Sequence, residues 1–162
     1  MDWRVAREDT VREILREAEL YISAQVQLSI AADQRAVTVS GAIATILTAI
    51  TAAGLAAFLS SSPNFDIVYA ATVSGTIMMI ALCCAIYAAR PVPFRPPGNC
   101  PEMWYDDDFG VKINIQLGHQ AEIYNAFIKE NNATLARNAV WIRLSLFLTV
   151  AAPIAGVLVA VL

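Results

Sequence analysis

A chain of 162 residues that is 57% hydrophobic and only 15% charged, with a mean hydropathy of +0.54, is too apolar for an ordinary soluble domain. A net charge of −3 gives nucleic acid no basic face, and three cysteines with a single histidine make neither a zinc pattern nor a disulfide framework. With no glycine-rich phosphate loop and no companion for His119, the chain offers no catalytic constellation. It reads as a non-enzymatic protein without cofactor or metal.

Residues 1–35 read as a cytosolic amphipathic helix. In DTVREILREAELYISAQVQLSIA, Val11, Ile14, Leu15, Ala18, Tyr21 or Ile22, Gln25 and Leu28 recur at three and four residues, and Thr10 with Glu13 forms a capping box. From residue 36 to 59 there is no Asp, Glu, Lys or Arg. At about 1.5 Å per residue this run spans a hydrocarbon core roughly 30 Å thick, as a first transmembrane helix. A short outer loop, 60–66, separates it from a second uncharged run over 67–89. Residues 90–110, RPVPFRPPGNCPEMWYDDDFG, hold five of the seven prolines and read as an extended loop. Its Phe94, Met103, Trp104 and Tyr105 suit either a headgroup layer or the side of the bundle, and its acidic run Asp106 to Asp108 has two readings: a hard-cation site or a solvated run at a helix start. A second cytosolic helix is expected over 111–139, with Leu117, Ala121, Tyr124, Ile128, Asn131, Leu135 and Asn138 on one stripe. It leads into a third span over 140–162, near whose inner end Arg143 is close enough to snorkel.

The fold class is therefore all-α: an integral membrane protein of three transmembrane helices, two of them extended by long helices into the cytosol. All eleven Lys and Arg residues precede the first span or lie between the second span and the inner end of the third. The positive-inside rule then puts the N-terminus in the cytoplasm and the C-terminus on the outer side of a bacterial inner membrane. The two cytosolic stripes are expected to pack on each other or on copies in neighbouring subunits, with Asn131 and Asn138 fixing register.

Two features of the spans bear on mechanism. Ser40, Ala44, Thr48, Ala52 and Ala56 repeat every four residues in the first span, and Gly156 lies on a similar small-residue row in the third. Such faces let helix backbones approach closely in lipid, within one subunit or between copies of a homo-oligomer. Asp33 and Arg35 stand where the first span begins. Arg35 anchors that end among headgroups, whereas Asp33 is either a solvated interfacial acid or one with a basic partner, for which Arg137, Arg143 and Arg90 are placed.

The order of elements, the segment AADQRA before the first span and the return segment HQAEIYNAFIKENNATLARNA resemble the small transmembrane effectors of bacterial antiphage defence, the Pycsar transmembrane effector and SLATT-type group. In that group an Ala-Asp-x-Arg/Lys-Ala element commonly opens the first span, and Asp33 and Arg35 would be its counterparts. The proline-rich loop departs from the group's shorter links. The resemblance implies an effector that a cytosolic signal, with a cyclic nucleotide or a sensor protein as candidates, converts into an assembly that impairs the inner membrane. The competing reading is a membrane anchor or interaction subunit for a cytosolic partner.

Overall fold

The computed structural model describes residues 2–98 and 112–161. Cys100, Met103, Trp104, Tyr105 and the run Asp106 to Asp108 lie outside the described residues. Of those described, 84% are helical and none is in a strand. Three helices account for this: α1 (Glu8–Phe58), α2 (Phe65–Ala88) and α3 (Ile113–Val161). Each contains a segment long and apolar enough to cross a membrane. At about 1.5 Å per residue, α1 and α3 are each more than twice as long as a hydrocarbon core is thick, so an apolar segment fills only part of either.

α1 begins at Glu8, two residues before the expected cap at Thr10, which lies inside the helix. Glu13 does not reach back to a capping residue, because Arg16 takes both of its oxygens at 3.0 and 2.6 Å. Glu8 pairs likewise with Arg12 at 2.7 Å. Acidic side chains in the first turn complement the helix dipole without any cap. The Arg16 guanidinium holds the Glu13 carboxyl below its ordinary range. α2 starts earlier than the expected Ile67, because Asn64 caps it: its side-chain oxygen accepts from the Ile67 N–H at 3.2 Å.

The chain forms two compact units. One, here the polar unit, comprises Met1–Ile30 and Val92–Leu135; the other, the apolar unit, comprises Ala31–Pro91 and Ala136–Leu162. In the polar unit α1 and α3 run parallel, since Glu19 meets Tyr124 and Gln25 meets both Ile128 and Asn132. The α3 stripe faces inward as expected, with Leu117, Ala121, Tyr124 and Asn131 buried. The α1 stripe resolves to Val11, Ile22 and Gln25, which are buried, and leaves Tyr21 and Leu28 exposed. A short N-terminal hook completes this core. Trp3 packs with Val11, Leu117 and Ala121, its indole N–H donates to Glu122 at 2.8 Å, and the Asn114 amide donates to the carbonyls of Trp3 and Ala6. Gly118 makes this docking fit, for a Cβ there would strike the Trp3 ring.

In the apolar unit the core is Ile43, Met78, Ala81, Ala85 and Ala152, flanked by Val39, Leu47, Ile50, Ile77, Leu82 and Leu148. α2 is antiparallel to both neighbours. Against α3, the Ser74 hydroxyl donates to the Ala152 carbonyl at 3.1 Å and Ser145 donates to Ala81 at 2.8 Å. Tyr87 then meets the Trp141 ring at a tilt, with ring centroids 4.8 Å apart. Hydroxyl-to-carbonyl bonds between helices are the polar adhesive an apolar surrounding favours. Two glycines set the closest approaches: a Cβ on Gly54 would lie 2.7 Å from Ala71 Cβ, and one on Gly156 would strike Ser74 Oγ and lie 3.1 Å from the Ala70 carbonyl.

Candidate functional site

Two arrangements of polar side chains stand out, one in each unit. In the polar unit the centre is Asn131, 1% exposed on α3. Its amide oxygen accepts from the Arg95 backbone N–H at 3.0 Å, and its NH2 donates to the Arg95 carbonyl at 3.0 Å and to Gln25 Oε1 at 3.2 Å. Asn131 thus grips one residue of the proline-rich segment by both backbone groups while joining it to α1. Gln25 donates onward to Asn132 at 2.9 Å and to the Ile128 carbonyl at 3.1 Å. A buried amide network of this kind is fully satisfied when the two helices keep this pairing.

The same segment is held at two further points. The Arg95 side chain reaches Glu130 at 3.2 Å and lies over the Phe127 ring. Gly98, at φ +93°, donates its N–H to Tyr124 Oη at 2.9 Å. That positive φ suits glycine, since a Cβ would be strained there. Tyr124 also donates to Glu19 at 3.3 Å, and burial pushes its phenol above the ordinary range against the lowering effect of the Gly98 bond. A Pro-x-Arg-Pro-Pro-Gly segment without regular structure is thereby fastened across α3 by Tyr124, Phe127, Glu130 and Asn131, one helical turn after another.

In the apolar unit every charged residue but Asp66, which lies in the first turn of α2, is at one end. Asp33 is half-buried, and Arg35, Arg137 and Arg143 are exposed. Among the described residues no ion pair joins Asp33 to Arg137, Arg143 or Arg90, since every ion pair there lies within residues 7–17 or between Arg95 and Glu130. Asn138, on the same α3 stripe as Asn131, is 7% exposed, and its Oδ1 is buried without a hydrogen-bond partner.

The small-residue face of α1 lies mostly off the helix contacts of this unit. Ser40 and Ala44 are half-buried, but Thr48, Ala52 and Ala56 are exposed. The contacts are made one position round, through Ile43, Leu47, Ile50 and Gly54. Gly156 does sit in a helix contact, against Ser74. Alongside the α1–α2 contact runs an apolar groove of about 610 Å³, bordered by Thr51, Leu55, Phe58, Thr72, Thr76 and Met79 among others.

No family model matches the chain, and neither a curated protein nor a solved structure matches it. What can be argued about function therefore rests on these residues. Sequence periodicity had no means of locating Gly98 or Arg95 as partners of α3, because each acts across a long stretch of chain through groups with no pattern of their own. The lone Gly-Leu step at Gly54 was hidden in the same way among neighbouring alanines.

Proposed function

We propose that the protein is a membrane-embedded effector of bacterial antiphage defence. In this reading the three apolar helices cross the inner membrane and the polar unit lies in the cytosol. A cytosolic signal, for which a cyclic nucleotide is a candidate, then converts a quiet homo-oligomer into one that impairs the membrane. The observation that carries the reading is the continuity of α1 and α3, each a single helix with residues in both units. A helix shared by two units can pass a change of pairing in one to the other as a shift or rotation, a common device in switching proteins. Further support comes from the exposed row Thr48, Ala52 and Ala56, which suits close approach of a second copy in lipid, and from the Ala-Asp-x-Arg-Ala element at Asp33.

A second reading, a non-enzymatic anchor for a cytosolic partner, is favoured by Leu20, Tyr21 and Leu28, which α1 leaves 54%, 52% and 61% exposed in the polar unit. Induced expression in bacterial cells separates the two. An effector is expected to depolarise the inner membrane and arrest growth when triggered or overproduced, whereas an anchor leaves both unchanged at equal protein level.

Asp33 supplies a sharper test of the effector reading. Its carboxylate has no partner in the arrangement described, so a pair with Arg137 or Arg143 would belong to the alternative arrangement. Asp33→Asn is expected to change depolarisation at least severalfold with little change in protein level. Combination with Arg137→Gln or Arg143→Gln should then have less effect than the separate changes summed, the mark of direct coupling. Unaltered depolarisation in Asp33→Asn would reduce Asp33 to an interfacial acid.

A further inference from the structure

Arg90 follows the last turn of α2 and carries a charge that no described residue neutralises. Its guanidinium carbon lies 3.9 Å from the centroid of the Tyr87 ring, and Tyr87 is itself backed by Trp141. A guanidinium seated over an aromatic ring loses freedom before any ligand arrives, which is the preorganisation that arginine brings to oxyanion recognition. Arg90 Nε is buried without a partner. The Nη groups are neither buried in this way nor bonded to any described residue, so they are the donors open to a ligand.

The register of α2 on α3 brings a second unsatisfied group to the same level. Ser74 meets Ala152, Ala81 meets Ser145 and Tyr87 meets Trp141, so the pairs step in opposite directions along the two helices. The next step sets Arg90 opposite Asn138. Asn138 Oδ1 is a buried acceptor lacking a donor, and Arg90 Nε is a buried donor lacking an acceptor. One water between complementary groups of this kind satisfies both and leaves the Asn138 NH2 directed elsewhere. The Nη groups of Arg90 and the NH2 of Asn138 are then N–H donors at one level of the α2–α3 contact.

The surroundings favour an anion there. Arg35, Arg137 and Arg143 lie at the same end of the unit without ion pairs, and Asp33 is the one acid among them. Asp33 does not neutralise Arg90. We propose that Arg90, held by Tyr87 and level with Asn138, binds the phosphate of an anionic phospholipid headgroup at this end of the apolar unit. The proposal rests on the membrane reading above and is independent of the effector role. A planar fork matches a phosphate bidentately, and in a bilayer this end of three apolar helices lies at headgroup depth, where phosphodiesters are abundant.

The test uses the full chain purified in a neutral detergent, with thermal stability followed as phosphatidylglycerol or phosphatidylcholine is added. Phosphatidylglycerol is expected to raise the melting temperature in a saturable way and phosphatidylcholine is not. Arg90→Gln should weaken the phosphatidylglycerol effect about tenfold or more, and Arg90→Lys, which keeps the charge but loses the fork, should weaken it by less. Should Arg90→Gln fail to fold, Arg90→Lys and Asn138→Ala decide the matter by the same titration. Equal losses in Arg90→Gln and Arg143→Gln would overturn the site and leave only general attraction by the basic rim. Inorganic phosphate and a cyclic mononucleotide are added separately without lipid. A shift from either that Arg90→Gln abolishes, with none from phosphatidylglycerol, would overturn the lipid as the source of the phosphate. Alkaline washing of cell membranes tests the underlying reading on its own. Release of the chain defeats the membrane assignment, whereas retention with an Arg90-independent lipid effect defeats the site alone.

Discussion

Gly156→Leu is expected to separate α2 from α3 and abolish a monodisperse, folded protein in detergent. The close approach at this level is made by a missing side chain: even a single Cβ on Gly156 would strike Ser74 Oγ and come within 3.1 Å of the Ala70 carbonyl. The serine can rotate, but the carbonyl belongs to α2 and cannot yield without moving the helix. Gly156→Ala is therefore the graded version. Its better helix propensity returns up to about 1 kcal/mol, against roughly 1–3 kcal/mol for overpacking a close contact, so the net change is a loss. Ser74→Ala removes the struck oxygen together with its bond to the Ala152 carbonyl, a bond worth about 0.6 kcal/mol on average between membrane helices. Combining Ser74→Ala with Gly156→Ala should then cost less than the two single changes added, because each relieves the other. Thermal unfolding in detergent reads all four variants, and a wild-type melting temperature in Gly156→Leu would show that the helices do not depend on this contact.

The positions of the helices were legible because charge is so costly in an apolar surrounding. Uncharged runs near 36–59, 67–89 and 144–162 mark segments that the structure makes helical and long enough to cross a membrane. The α3 stripe was equally readable down to Asn131 and Asn138, since a helix that buries one side over many turns must repeat at three and four residues. Local rules did less well at the ends. A capping box at Thr10 competes with ion pairs, and Glu13 is engaged by Arg16 instead. In the apolar unit, alanine-rich sequence reads as small on several sides at once, so the row through Thr48 and Ala52 could not be told from the adjoining row of Ile43, Leu47, Ile50 and Gly54 that makes the contacts. The attachment of the proline-rich segment to α3 had no signature, because the groups on the proline side are mostly backbone.

Loss of the Asn131 side chain is the second large effect expected, and it should fall first on that segment. Asn131→Ala deletes the donor to the Arg95 carbonyl, the acceptor from the Arg95 N–H and the donor to Gln25 Oε1. Proline neighbours sharpen the consequence. Pro93, Pro96 and Pro97 have no N–H, so the segment has few backbone donors with which to form substitute bonds, and Arg95 supplies one of them. Leaving buried groups unsatisfied costs about 1–3 kcal/mol each, reduced where water can enter, so a loss on the order of 2–4 kcal/mol in the polar unit is expected. Hydrogen exchange on the intact protein in detergent locates the effect: the Arg95 and Gly98 amides should lose protection together, since Tyr124 alone would be left to hold the segment near Gly98. Asn131→Asp discriminates bonding from volume. A carboxylate of the same shape can still accept from the Arg95 N–H, but it has no proton for the Arg95 carbonyl or for Gln25, and as a buried charge it should be no better tolerated than alanine. Asn131→Leu, by contrast, is expected to keep α1 and α3 packed through Val11, Ile22, Leu117 and Ala121 while still releasing Arg95, for leucine fills the space and bonds to nothing. Protection of the Arg95 amide in that variant equal to wild type would mean that the segment is held by Tyr124 and Glu130 and that Asn131 serves only the pairing of the two helices.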